Sequence, residues 1–475
     1  MNLTTLKKPL PWKNATPLAL ALAAVATVLP SIAAENKSVS YFNDVVPIFK
    51  KSCNGCHHPG KLKGKLDLTT FEGLQKGGKT GPGFVPGDPR KSLLVEEISG
   101  EEPSMPKEGD PLSAPEIALI EQWIKDGAKD DTPEDKRNPF KLAAPPVYSA
   151  PPVISALAYS ADGKTLAISG YHEVILHKAD GSEIIARLLG ESPRIESVAF
   201  SPDGKWLAVA GGAPSRFGEI QIWDLTSNRL AHAYKIGNDS LYGVSFSQDG
   251  QRVAFGSAEK TVRMIAVNDG KELLKFDNHS DWVFATVFTT DGKRLLTGSR
   301  DRAMKLIDAS SGQFIDDINK LLDAVLCFAR HPKMDQIAYG GEVGSVRIYR
   351  ISDNQGRTAA NNDVNLIRDF ERQPGAVHAI AWSPDANHLA VGGVASEVRV
   401  YKVADGSRSH TLKIDEGATF ALLFNPAGNQ LAAAGFDGKV RLFDFPSGQL
   451  GKAFIPVPLN EKKIAAGPDA VTAKK

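Results

Sequence analysis

Cysteine is almost missing: three in 475 residues, an odd count that excludes a scaffold built on disulfides. Methionine is scarce too, at five. Neither sign of charge dominates. Lys and Arg total 56 against 55 Asp and Glu, a formal net charge of +1, which removes the electrostatic case for nucleic acid. No GxSxG, HExxH or phosphate-binding Gly-rich sequence occurs. "KGGKTGPG" (76–83) lacks the Gly-Lys-Ser/Thr ending and reads as a surface loop. Long apolar runs are also few. The clear one, "ATPLALALAAVATVL" (15–29), is too short for a comfortable membrane span.

That run follows Lys7, Lys8 and Lys13 and precedes "PSIAA", the pattern of an export signal cleaved near Ala33 or Ala34. Removing residues 1–34 takes away three lysines and no acid, leaving a net charge of −2 and no transmembrane segment. The expected location is periplasmic, where cysteine chemistry is read in an oxidising compartment. The length calls for two or more domains. Pattern divides the chain into a small segment at 35–132, a charged then Pro-rich linker at 133–152, a repeating region at 153–458 and a disordered tail at 459–475.

The repeat is the strongest architectural signal. "ISALAYSADGKTLAISG", "IESVAFSPDGKWLAVAG" and "VHAIAWSPDANHLAVGG" are three of seven versions of one unit. Each is an alternating strand, a polar turn and a second strand that ends in small residues. The turns are anchored at Asp162, Asp203, Asp249, Asp291, Lys333, Asp385 and Ala427, spaced by 41, 46, 42, 42, 52 and 42 residues. A third strand ("EIQIWDL", "KVRLFDF") and a weaker fourth complete each unit. Four short strands every ~40–45 residues make a propeller blade, which buries its faces only by stacking on neighbours. The region resembles the WD-repeat family, and seven units imply seven blades. Only Trp223-Asp224 keeps the eponymous dipeptide. The Gly-His element before the first strand is missing, which leaves the family's buried Asp-His-Ser-Trp hydrogen-bond set open. For ring closure, "KAFIPV" offers blade 7 its own fourth strand, and "PPVYSA" offers an upstream substitute. Insertions lengthen repeat 2 ("GAPSRFG") and repeat 5 ("NQGRTAANNDVN"). Cys327 falls on the innermost strand of repeat 5 as a small buried residue.

The remaining cysteines stand together in "KKSCNGCHHPGKLKG" (50–64). A Cys-x-x-Cys-His sequence is the attachment signature of c-type haem: two thiols add to the vinyl groups and the histidine ligates the iron. Cys53 and Cys56 are the anchors and His57 the proximal ligand. A zinc site would need a second ligand pair, and Cys327 lies over 270 residues away. A thioredoxin-like pair would need a strand–helix setting. Before the motif, Phe42, Val45, Val46 and Phe49 share a helical face, with Pro47 in the first turn and Asn43 as its cap. Met105, 48 residues after His57 in the Pro-rich "EEPSMPKEGDP", is the candidate second axial ligand. Its alternative role is filling a gap in the core. A helix follows, with a Ser113–Glu116 capping box, a Leu112–Ile117 staple, a stripe of Ile117, Ile120, Trp123 and Ile124, and a stop at Gly127.

"FNDVVPIFKKSCNGCHHPGKLKGKLDLTTFEGLQKGG", "VPGDPRKSLLV" and "MPKEGDPLSAPEIALIEQWIKDGA" together resemble the planctomycete-type cytochrome c domain over about residues 40–129. The resemblance implies one covalent haem c, with His57 and Met105 as axial ligands. The expected fold class is therefore multidomain: a small all-α cytochrome c domain followed by an all-β seven-bladed propeller. The expected function is electron transfer, with the propeller docking a protein partner or serving as scaffold. No catalytic residue is assigned. The alternatives are an oxidoreductase fed by the cytochrome, whose propeller holds a substrate or second cofactor, and a redox-dependent scaffold. Lys50, Lys51, Lys61, Lys63 and Lys65 crowd the motif as a basic rim suited to an acidic redox partner.

Overall fold

The computed structural model describes residues 38–58, 61–138, 140–318, 323–351 and 363–460. The expected export signal and nearly all of the expected tail lie outside the described residues.

The repeating region folds as seven four-stranded antiparallel sheets, each with its strands in sequence order. Blade 1 runs from Leu157–Tyr159 to Ile184–Leu189, and blade 7 from Thr419–Phe424 to Leu450–Phe454. The first strand of each blade lies against the first strands of its neighbours, closing a ring around an axis. Alternation supplies the two apolar faces, and adjacent blades share them. Ala167 and Leu176 of blade 1, for example, pack with Ile195, Leu207, Val209 and Trp223 of blade 2. Each fully buried side chain of Leu or Ile size contributes roughly 1.5–3 kcal/mol.

The turns between first and second strands show why the repeat tolerates substitution. In blade 1, Ser160 Oγ donates to Asp162 Oδ1 at 2.6 Å, which also accepts the Lys164 N–H at 3.0 Å. Blades 2, 3, 4 and 6 repeat this Ser/Thr-x-Asp arrangement at Asp203, Asp249, Asp291 and Asp385. Blade 5 has Lys333 at the anchor, and His331 Nδ1 accepts the Lys333 and Met334 N–H groups at 3.0 Å instead. In blade 7, Asn425 Oδ1 accepts the Ala427 N–H at 2.7 Å.

Blade 7 carries its own fourth strand, with Phe454 opposite Val440. The ring closes by packing rather than strand exchange: Ile154, Tyr159 and Leu166 of blade 1 meet Ala432, Val440 and Leu442 of blade 7. "PPVYSA" pairs elsewhere, through a parallel bridge from Tyr148 to Leu459. The insertion in repeat 2 lengthens a hairpin, Trp206–Ala213 against Phe217–Asp224. The insertion in repeat 5 lies mostly outside the described residues.

Three of the four members of the set left open by sequence are present in blade 4, with Thr297 for Ser and Ile307 at the Trp place. His279 is buried; its Nδ1 meets Asp301 Oδ2 at 2.8 Å and its Nε2 meets Thr297 Oγ1 at 2.8 Å. Asn278 precedes this histidine where the family pattern has glycine. Burial pushes the Asp301 carboxyl up, but hydrogen bonds from His279, Ser280 and Ala303 outweigh it and hold it at about 2. In blade 7 a buried Arg441 does comparable work, bridging Asp437 and Asp415.

The small N-terminal unit corrects the all-α expectation. It holds a few short helices, α1 (Val46–Ser52), α2 (Phe71–Lys76), α3 (Leu93–Ile98) and α4 (Ala114–Lys125), and a two-stranded ribbon, β1 (His57–His58) and β2 (Lys61–Leu62). A π-helical turn, Tyr41–Val45, precedes α1. That wider turn shifts the buried face to Tyr41, Val45, Ile48 and Phe49, leaving Phe42 and Val46 half-buried. The cap is Ser40, whose Oγ accepts the Asn43 N–H at 2.9 Å, and Pro47 does sit in the first turn of α1. In α4, Glu116 Oε2 accepts the Ser113 N–H at 2.8 Å, and Ile120, Trp123 and Ile124 are buried. Trp123 stacks on Tyr41 at 5.1 Å and touches Phe84 at 5.3 Å.

The linker packs on the propeller. Tyr148 Oη donates to Glu173 Oε1 at 2.7 Å, Arg187 Nη2 donates to the Pro146 carbonyl at 2.7 Å, and Phe140 packs edge-on to Phe217 at 5.0 Å. Burial and the Glu173 carboxylate keep the Tyr148 phenol protonated.

Candidate functional site

Helix α1 ends at the first cysteine. The Cys53 N–H donates to Phe49 O at 2.9 Å, and the Cys53 carbonyl then accepts the N–H groups of Cys56 at 3.1 Å and His57 at 3.2 Å. This tight turn brings both thiols and the imidazole to one side. Both cysteines are free thiols, and burial pushes the Cys53 thiol up to about 11.

The chain then doubles back as β1 and β2, and the Lys63 carbonyl comes to 3.0 Å from His57 Nδ1. A carbonyl only accepts, so Nδ1 carries the proton and Nε2 keeps its lone pair for a ligand. Lys63 N–H closes the loop on the Cys56 carbonyl at 3.1 Å, and Leu68 N–H on the His57 carbonyl at 3.0 Å.

Met105 lies in the loop that follows α3. Its N–H donates to Glu97 O at 2.8 Å, which ties the loop to α3, and its side chain packs against the domain core. Cys53, Cys56, His57 and Met105 line one cavity of about 710 Å³. Its remaining walls are chiefly apolar, among them Leu66, Leu68, Leu74 and Leu94. The donor set fits a haem: two thiols separated by two residues, an imidazole with Nε2 left for a ligand, a thioether and a leucine-lined wall. The volume is that of a cofactor site, roughly 300–1,000 Å³. Among the described residues no group of three or more His, Cys, Asp or Glu side chains is arranged to hold a metal ion.

All four residues singled out from sequence thus reach one place. Others were missed. The 76–83 segment is no mere surface loop: Gly78, Thr80, Gly81 and Gly83 line the cavity, and the Lys79 N–H donates to Gly64 O at 2.7 Å. Gly77 is required there, since with φ at +75° a Cβ would lie 2.0 Å from the Gly81 carbonyl oxygen. Leu93, Leu94 and Ile98 of α3 also contribute; the first two fall in "VPGDPRKSLLV", but no local pattern marked any of the three as cavity-lining. The basic rim is only partly free. Lys51, Lys61, Lys63 and Lys107 edge the cavity together with Glu97 and Glu108, and Lys51 also pairs with Glu116 at 2.9 Å. The Ser113 hydrogen bonds, then Lys51, hold the Glu116 carboxyl at about 2.

Cys327 lies on the innermost strand of blade 5 but is half-buried rather than buried. Its Sγ donates to the Val377 carbonyl at 3.5 Å, and burial pushes the thiol up to about 12.

Comparison with known proteins agrees with both halves. Residues 53–109 match the model described as Planctomycete cytochrome C. Residues 182–224, 270–308 and 406–444 match the model for the WD domain, G-beta repeat, and residues 326–422 match that for the Anaphase-promoting complex subunit 4 WD40 domain. The human U3 small nucleolar RNA-associated protein 4 homolog is 28% identical over 87 residues, 18% of this chain and only 11% of that protein's length. The chain joins a segment similar to planctomycete cytochrome c to a seven-bladed propeller of the WD-repeat type.

Proposed function

We propose that the protein is an exported, periplasmic electron carrier that holds one haem c on Cys53 and Cys56, with His57 and Met105 as axial ligands. The propeller serves as the scaffold that docks its partner. One observation carries this reading: two free thiols, an imidazole with its Nδ1 committed to Lys63 O and a thioether line the same leucine-walled cavity.

Haem c, when bound, supplies an iron that gains and loses one electron. The chain's own residues set the conditions. Lys63 O fixes the tautomer and orientation of His57. Glu97 O holds the Met105 loop. Leu66, Leu68, Leu74 and Leu94 give the cavity an apolar wall. Lys61, Lys63 and Lys107 place positive charge at its edge, which favours an acidic partner surface and makes association weaken with salt. No helix among the described residues is long and apolar enough to cross a membrane.

The test is an optical spectrum and intact mass of protein expressed with a working haem-ligation system. The expected result is a single low-spin c-type spectrum, a covalent porphyrin adduct and a sulfur–iron charge-transfer band that Met105→Ala abolishes. Colourless protein without the adduct defeats the reading, and an unchanged spectrum in Met105→Ala removes Met105 from it.

A further inference from the structure

Residues 99–113, which carry Met105, form neither helix nor strand. With no ladder of its own, this backbone is placed by whatever it is tied to. The tie is helix α3, and α3 is itself pinned. At its start the buried Ser92 Oγ accepts the Val85 N–H at 2.9 Å and donates to the Asp88 carbonyl at 2.8 Å. The Leu94 N–H donates to Gly83 O at 2.8 Å, which joins the helix to the 76–83 loop. The last carbonyls of a helix lack intrahelical partners. Here Glu97 O is satisfied by the Met105 N–H at 2.8 Å. Leu94 and Ile98 line the cavity from the same helix. One element therefore walls the cavity and holds the methionine loop.

Glu97 grips that loop through two different groups. Besides the carbonyl bond to Met105, its carboxylate accepts the Ser104 hydroxyl, and Ser104 Oγ lies 3.3 Å from its carbonyl. A single hydrogen bond leaves a pivot. Two bonds on adjacent residues fix the rotation of the loop as well as its position. The carboxylate bond is also the stronger kind, because its acceptor is charged. Glu97, Met105 and Pro106 all line the cavity. Access to the second axial position decides whether a haem iron exchanges electrons or binds a small molecule. A loop held at two points denies that access more completely than one that can swing.

We propose that Glu97 is the positioning residue for Met105: its carbonyl and carboxylate clamp Ser104 and Met105, keep the thioether in the cavity and thereby exclude diatomic ligands. This rests on the haem c reading above, with Met105 as ligand. The test uses the full chain with its haem adduct, as Glu97→Ala, Glu97→Gln, Ser104→Ala and Met105→Ala. Two readouts are followed: the sulfur–iron charge-transfer band of the oxidised protein, and carbon monoxide binding to the reduced protein. Glu97→Ala and Ser104→Ala should weaken the band and bind carbon monoxide at least about tenfold more tightly than the parent, the scale of one lost hydrogen bond to a charged group. Glu97→Gln, whose amide oxygen still accepts the Ser104 hydroxyl, should restore both readouts. The two alanine substitutions combined should do no more than either alone, since they break one bond. A merely structural role would lower thermal stability without opening the iron. Ser104 is exposed, so its substitution decides the matter if Glu97→Ala does not fold. The clamp is overturned if the folded alanine variants keep the parent's band and carbon monoxide affinity while Met105→Ala loses the band; the haem reading then stands. A Met105→Ala spectrum equal to the parent's, or protein without the adduct, overturns that reading and the clamp with it.

Discussion

The two regions of this chain solve the problem of making a core in opposite ways. The propeller repeats one local unit seven times, and each interface resembles the last, so Ser-x-Asp, His and Asn turns are interchangeable. The small unit repeats nothing. Its aromatic cluster of Tyr41, Phe71, Phe84 and Trp123 is built once, beside a cavity of about 710 Å³. The difference teaches where change is tolerated: stability spread over equivalent interfaces absorbs substitution, whereas a single short-helix core does not.

The sharpest break in the comparison is Cys53→Ala with Cys56→Ala. It should abolish the covalent porphyrin mass while the propeller's far-UV signature stays. Retained adduct in that variant would separate pigment from motif. Next is Trp123→Ala, expected to cost the small unit about 3–5 kcal/mol. Calorimetry should then show the small unit's transition lowered and the propeller's unchanged; a joint shift would mean the regions unfold as one. Within the propeller, His279→Ala strips Asp301 and Thr297 of their shared partner and should cost about 2 kcal/mol, read from denaturant midpoints. An equal cost from Asn425→Ala in blade 7 would show that the blade 4 set adds nothing beyond an ordinary turn.

The smallest effect is one of pH. Burial, with Lys333 and Arg330, lowers the pKa of His331, and its neutral ring is the acceptor in the blade 5 turn. A folded-state pKa below the unfolded one gives stability that is present above the ordinary imidazole range, near 6.5, and lost as pH falls below it. Asp162, Asp203 and Asp291, lowered chiefly by their Ser or Thr hydroxyls, give stability present above the ordinary carboxylate range and lost only in stronger acid. Acid titration by fluorescence should therefore show a shallow loss below pH ~6.5 before the main one. His331→Ser with Lys333→Asp, which writes the common turn into blade 5, should reduce it, the remainder coming from His172, His177, His378 and His388, which burial lowers in the same way. A titration curve unchanged by that pair would refute the assignment.

Much of this architecture was legible because it is local. Two-residue alternation with a turn at each anchor specifies a blade, and Cys-x-x-Cys-His with its neighbours specifies a tight turn at a helix end. Less legible were features that depend on a register shift. One π turn moved the buried face from Phe42 and Val46 to Tyr41 and Ile48. Single bulges interrupt the first-strand register at Glu196, Phe284 and His378. The bridging role of His279 was not legible because Asn278 stands where the pattern has glycine, although its partners Asp301 and Thr297 lie only about one hairpin away.

By itself, then, the sequence determined the number of blades, the Ser/Thr-x-Asp turns of five of them and the grouping of Cys53, Cys56 and His57, since each depends on neighbours within a few residues. Only the tertiary structure decided that Met105 shares a cavity with His57, that the 76–83 loop walls it and that the ring closes by packing between blades 1 and 7. Those are contacts between segments far apart in the chain, and their selection rests on the summed burial of many side chains rather than on any local pattern.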